Sequence, residues 1–171
     1  MKLKKSLSAV LILIFVFAFS IPVSAKSKIT YGNFLKVKMG QKYSQVVKIL
    51  GKKGKKESTS IIGNIKSVMY SWDIGLASMN VTFKNGKVVA KDQTGLCKSA
   101  WKITKTKYKK LKKGMSLKKV KSILGKGVLA YQSIIGGENM TTYSWNNASY
   151  SSSITCVFYN GKLDSKTAYW I

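Results

Sequence analysis

Histidine and arginine are absent from this chain, and only five of its 171 residues are carboxylates. Without an imidazole there is no general base for a serine or cysteine nucleophile, and no metal site that depends on His. Glu57, Asp73, Asp92, Glu138 and Asp164 lie at least 16 residues apart, so no acid/base pair is set up locally and they read as surface acids. Gly51-Lys52-Lys53-Gly54 and Gly125-Lys126-Gly127 lack the spacing of a phosphate-binding loop and follow helical patterns, so they read as helix stops with solvated lysines. These absences point away from an enzyme and leave no cofactor, metal or small-molecule substrate to expect.

Cysteine is scarce as well. Cys97 and Cys156 are separated by 59 residues and form no C-x-x-C element, which fits neither a metal site nor a redox motif. Two readings stay open. In an oxidising compartment the pair could form a disulfide tying the middle of the chain to its last strands. Alternatively, Cys156 is a buried thiol acting as a small hydrophobe, because it occupies the place of Val81 in an internal repeat.

What the chain has in abundance is lysine, which supplies all 31 cations for a net charge of +26. The first 25 residues carry Lys2, Lys4 and Lys5, an apolar run from Leu7 to Phe19, the single proline Pro22 and the small-residue site Val23-Ser24-Ala25. That is the layout of a cleaved secretory signal; the apolar run is shorter than the roughly 20 residues needed to span a bilayer. Cleavage after Ala25 leaves 28 lysines against five acids, a net of +23 over 146 residues. Arginine's planar fork is the usual choice for sculpted phosphate or carboxylate pockets, whereas lysine is a hydrated point charge on a flexible stem. The charge is either a solvating coat or a diffuse attraction to a polyanionic surface. Secretion argues against nucleic acid and favours anionic wall polymers or lipid headgroups.

The strongest positive signal is a duplication. Ile29 to Gly51 recurs 74 positions later as Ile103 to Gly125 with nine identities in 23 positions. Ser60-Ile61-Ile62-Gly63, Tyr70-Ser71-Trp72 and Phe83-Lys84-Asn85-Gly86-Lys87 are answered by Ser133-Ile134-Ile135-Gly136, Tyr143-Ser144-Trp145 and Phe158-Tyr159-Asn160-Gly161-Lys162. Each copy is therefore one supersecondary unit. Thr30 and Thr104 predict N-caps of short helices, the second running to about Lys113, with Ile29 and Ile103 placed to staple onto Phe34 and Tyr108. Second helices follow Gly40 and Gly114, with apolar stripes Tyr43, Val46, Ile49, Leu50 and Leu117, Val120, Ile123, Leu124, closed by Gly51 and Gly125. Ser116 caps one of them; Lys42 stands in its place in the other, which predicts a weaker start there. Strands are predicted at Ser58–Ile62, Val68–Trp72, Met79–Phe83 and Val88–Lys91, then Val128–Ile134, Thr141–Trp145, Ile154–Tyr159 and Leu163–Trp170. Asn85-Gly86 and Asn160-Gly161 are hairpin turns. The fold class is α+β: two tandem helix-helix-four-strand antiparallel units, with the helices on one face of an eight-stranded sheet surface. The units run from 26 to 96 and from 103 to 171, joined by a linker at 97 to 102.

The Thr-capped short helix, the Gly114-Met115-Ser116 helix start, the Leu-Gly stop, the aromatic strand ending in Trp and the Phe-x-Asn-Gly-Lys hairpin together resemble the tandem-repeat family of the secreted beta-lactamase inhibitor protein. The resemblance covers nearly all of the chain after the signal. It implies a non-enzymatic secreted module that binds another extracellular protein, a beta-lactamase or a penicillin-binding enzyme, through the open sheet face and the hairpin loops. In that family the first-copy hairpin presents an Asp that imitates the substrate carboxylate; that place falls here on Leu76, and the nearest carboxylate is Asp73. Tyr150 and Tyr169 fall near aromatic contacts of the second copy. Trp72 and Trp145 have two readings, as core under the helices or as anchors on the open face. With the second, the candidate contact set is Trp72, Asp73, Leu76, Trp145, Tyr150 and Tyr169. The alternative function is a lysine-rich protein held at the cell envelope by anionic wall polymers or the membrane surface.

Overall fold

The computed structural model describes residues 28–98 and 100–171; the secretory signal read in Met1 to Ala25 lies outside them. The chain runs α1 (Tyr31–Lys36), α2 (Tyr43–Leu50), β1 (Lys55–Ile62), β2 (Ile65–Ile74), β3 (Ala77–Lys84), β4 (Lys87–Thr94), then α3 (Lys105–Lys109), α4 (Leu117–Leu124), β5 (Val128–Ile135), β6 (Glu138–Asn146), β7 (Ser152–Tyr159) and β8 (Lys162–Trp170). All eight strands form one antiparallel sheet in sequence order, so the expected architecture holds. The strands are longer than the apolar alternation indicated. Ladder hydrogen bonds carry them into polar ends such as Lys55 and Lys87, where both faces are wet and no alternation exists to read.

Capping chemistry places the helices. Thr30 Oγ1 accepts from Asn33 N–H at 3.2 Å and Thr104 Oγ1 from Lys107 N–H at 3.1 Å; Ser116 Oγ accepts from Lys119 N–H at 3.2 Å. Lys42 offers no acceptor, and the start of α2 has only the reverse bond, Lys42 N–H to Gln45 Oε1 at 2.8 Å. Lys42→Ser is therefore expected to stabilise the protein by about 0.5–1 kcal/mol in a denaturant titration, and amides near Tyr43 to exchange faster than those near Leu117 in the native chain.

α3 stops at Lys109, short of the expected Lys113, for a reason that recurs in both copies. The Lys91 ammonium from β4 donates to Phe34 O at 2.9 Å and Val37 O at 2.6 Å, and lies 4.5 Å above the Phe34 ring. In the second copy Lys166 from β8 donates to Tyr108 O at 2.9 Å and Leu111 O at 2.8 Å, 4.2 Å above the Tyr108 ring. The last carbonyls of each short helix accept from an ammonium of the sheet, with Phe34 O and Tyr108 O also accepting from Val37 and Leu111 N–H, which suits the negative end of a helix.

A second duplicated lock pins each aromatic strand. Trp72 Nε1–H donates to Lys52 O at 2.9 Å and Trp145 Nε1–H to Gly125 O at 3.0 Å, with the indoles lying where a Cβ on Gly54 or Gly127 would be. The two glycines are thus more than helix stops: their missing side chains admit the rings.

Register shows that both helix pairs lie on the same face. Tyr70, Val81, Lys91, Gln132, Thr141, Phe158 and Leu163 form one row across β2 to β8, and its ends pack beneath α1 and α2 in one core and α3 and α4 in the other. The cores merge at the seam, where Leu129 of β5 is buried in the first core and its N–H donates to Tyr31 Oη at 2.7 Å. Cys156 sits in the second core as a thiol rather than half of a disulfide. Cys156 lies in mid-strand between Tyr143 and Lys166 on the helix side, and Cys97 lines a groove at the sheet rim.

Candidate functional site

The face opposite the helices is covered by no described helix or strand. Its middle rows are Ser71, Asn80, Asp92, Tyr131, Thr142, Val157, Ser165 and, beside them, Met69, Thr82, Ala90, Ser133, Met140, Tyr159. Lysine enters these rows only at the sheet edges, as Lys55 beside Ser71 and Lys162 beside Tyr159. Asp92 lies in the first row with its carboxylate accepting from Asn80 Nδ2–H at 2.8 Å; burial pushes its pKa up, and the Asn80 bond partly offsets this. Glu57 reaches the same face, where Ser71 Oγ–H donates to it at 2.6 Å and, with the Lys55 ammonium, holds its carboxyl below the usual value. The result is a surface of hydroxyls, amides and methyls flanked by carboxylates, suited to a protein surface more than to an anion.

The uppermost rim brings together the turn between β2 and β3, the end of β4, the loop between β6 and β7, and the end of β8, because antiparallel strands in sequence order return alternate connections to one edge. Leu76, at the tip of the first turn, is fully solvent-exposed (103%). Tyr150 and Tyr169 are more than half exposed. Asp73 lies one step down β2, paired with Ser78, on the open face. Trp72 and Trp145, by contrast, are buried at 1% and 0% beneath the helices, so the surface offered to a partner does not include them. Alternation along β2 and β6 points them, with Tyr70 and Tyr143, to the side that the apolar helix stripes cover, and the glycine locks hold them there.

The loop from Asn147 to Ser151 is built to present Tyr150. Asn147 Nδ2–H donates to Ser151 Oγ at 3.0 Å, Asn147 Oδ1 accepts from Ser152 N–H at 3.2 Å, and Tyr150 N–H donates to Asn147 O at 3.2 Å. Tyr150 has φ 58°, in the left-handed region that a bulky side chain seldom adopts. Tyr150→Gly is accordingly expected to raise stability by about 1 kcal/mol while removing the ring; a clear loss of stability would make the tyrosine a structural residue instead.

Below Tyr150 the two copies part. β4 and β5 pair only at Ala90, Lys91 and Asp92 with Ser133, Gln132 and Tyr131, and beyond them the strands diverge around a groove of about 480 Å³ lined by Thr94, Cys97, Val128, Ser144, Asn146 and Tyr150, among others. Gln93 spans the gap beneath, donating to Leu129 O at 3.3 Å and accepting from Leu96 N–H at 3.1 Å. Sequence reasoning missed this groove. The only trace of it is the break in strand spacing between the copies, where a helical segment intervenes between β4 and β5.

The family model for the beta-lactamase inhibitor (BLIP) matches residues 30–145. The chain belongs to the BLIP family. A solved structure from Streptococcus mutans, described as a candidate beta-lactamase inhibitor protein, superimposes with a TM-score of 0.69 at 26% identity, covering 84% of this chain and 98% of that one. No curated protein sequence matches. In this BLIP-family member the sheet face opposite the helices and the rim carrying Leu76 and Tyr150 are left uncovered by the described helices and strands. No helix among the described residues is long and apolar enough to cross a membrane.

Proposed function

We propose that the chain is a secreted, non-enzymatic binding protein that captures an extracellular enzyme of the beta-lactamase or penicillin-binding class. The observation that carries this reading is the uncovered sheet face, with hydroxyls, amides and methyls in its middle rows, rimmed by exposed Leu76 and Tyr150 in a BLIP-family fold. Contact energy in protein interfaces concentrates in a few aromatic and large apolar anchors surrounded by polar contacts that exclude water. Tyr150, whose backbone is fixed by the loop's hydrogen bonds, loses little backbone freedom on binding. Leu76 sits where the inhibitor family presents an acid, so the first hairpin contributes an apolar anchor and does not imitate a substrate carboxylate. The open face with Asp73, Asp92 and Tyr131 supplies the polar surround.

The test is equilibrium binding to a panel of purified extracellular serine beta-lactamases and penicillin-binding transpeptidases, read by surface plasmon resonance and by substrate turnover. Saturable binding to at least one member is expected, weakened about 30-fold by Tyr150→Ala, the loss typical of an interface anchor. Leu76→Ala should weaken it less. Binding unchanged in the Tyr150→Ala, Leu76→Ala double variant, or no binding across the panel, would overturn the reading.

A further inference from the structure

Charge in this fold is sorted by face. Residues 28–54 and 101–127, which form the helical layer, hold seven and eleven lysines and not one carboxylate. All five acids lie on strands, and Asp73, Asp92 and Glu138 face the open side by register with Ser78, Asn80 and Ile135. Of the eighteen helical-layer lysines all are exposed except Lys107 and Lys121, which are half-buried. The layer spans both copies across an eight-stranded sheet, a width of roughly 35 Å at the usual strand spacing. Among the exposed large apolar residues only Leu35 belongs to it, and that one is 38% exposed.

From this sorting we infer that the helical layer is a docking track for a linear phosphate-bearing polyanion, and that a molecule held this way turns its open sheet face outward. Three features select a polymer. The cations are lysines on flexible stems, which adapt to any phosphate spacing along a strand. They continue across the whole layer, so one polymer chain can neutralise many of them and release its counterions. The layer also lacks the apolar side chains that would seat it in a bilayer interface. The far side balances Glu57, Asp73, Asp92 and Glu138 against Lys55, Lys84, Lys87 and Lys162, so it attracts the same polymer little and the attachment is one-sided. The inference stands independently of which enzyme the open face binds.

Long-chain inorganic polyphosphate serves as the probe, with binding followed by anisotropy of the labelled full-length secreted protein between 50 and 200 mM salt. Binding is expected to weaken by about a thousand-fold over that range, as for several released counterions. Replacing Lys109, Lys110, Lys112 and Lys119 with Glu should weaken it at least a hundred-fold at low salt. The same change at Lys55, Lys56, Lys66 and Lys84, on the rim formed by the ends of β1 to β3, should weaken it less than five-fold. Glutamine at the four helical positions provides a milder version should the Glu variant melt early, and is expected to give at least a ten-fold loss. Equal losses from the helical and rim sets would overturn the inference in favour of undirected charge. Tighter binding to phosphatidylglycerol vesicles than to polyphosphate at equal phosphate would assign the layer to a membrane instead. Enzyme capture through Tyr150 should be unaffected by the helical set, which separates failure of this inference from failure of the binding function.

Discussion

Gly127→Ala is expected to cost the protein about 3–5 kcal/mol, the larger part of an ordinary domain's stability. A Cβ on Gly127 would lie 2.5 Å from Cε2 and 2.6 Å from Cζ2 of Trp145, and the residue has φ 64°. The ring cannot step aside, because Trp145 is fully buried and its indole N–H is held by Gly125 O at 3.0 Å. Overpacking a rigid core costs about 1–3 kcal/mol, and forcing a non-glycine residue into the left-handed region adds a further 1 kcal/mol or more. Gly54→Ala makes the matching clash, with Trp72 at 2.7 Å, but without a left-handed φ. It should cost about 1–3 kcal/mol. Calorimetric melts of the two variants check both the magnitude and the order; a Gly127→Ala melt within 3 °C of the parent would show that the indole is free to move.

Lys91→Met is expected to destabilise by about 2–4 kcal/mol at pH 7, because it keeps the stem but leaves Phe34 O and Val37 O without their ammonium donor in the core. Lys166→Met should cost less, since Lys166 is only half-buried. Lys91 also has a pH signature. Burial, with a minor contribution from Lys38, pulls its pKa from 10.5 down to about 8. Between those values the unfolded chain binds a proton that the folded chain lacks, so stability rises with pH, by up to about 1 kcal/mol from pH 8 to 9. Cys156 opposes this from about pH 8 upward: burial holds its thiol up to about 11, the unfolded chain loses that proton first, and above pH 9 the loss roughly offsets the Lys91 gain. Urea titrations at pH 8 and 9 should show the gain in the parent and none in Lys91→Met. A parent curve flat over that interval would mean that the two carbonyls keep the ammonium charged despite its burial.

These two residues show where sequence reading stops. The duplication, the Thr and Ser caps, the Asn-Gly hairpins and the alternation of Met79, Val81 and Phe83 are local signals, and each corresponds to a helix start, turn or strand in the structure. A lysine in a strand reads as a solvent-facing residue, and only the crossing of β4 under α1 makes Lys91 a helix terminator. Likewise Gly127 reads as a loop glycine until the ring of Trp145, 18 residues on, is laid against it. Tyr150 and Leu76 were legible as rim residues because they sit at hairpin tips. The groove between the copies was not, since it exists only where β4 and β5 stop pairing.

Composition and periodicity by themselves determined that this is a twice-repeated helix-helix-sheet chain without an imidazole for catalysis, because those properties depend on residue types and on spacings of two and three to four along the chain. The side of the sheet taken by Trp72 and Trp145, the joining of two units into one sheet, and the placing of Asp73, Asp92 and Glu138 on the face away from the helical lysines were decided by tertiary structure. Parity says which residues share a face but not which face the helices cover; that choice is made when the apolar stripes of the helices are buried and everything on the other parity is left to water or a partner.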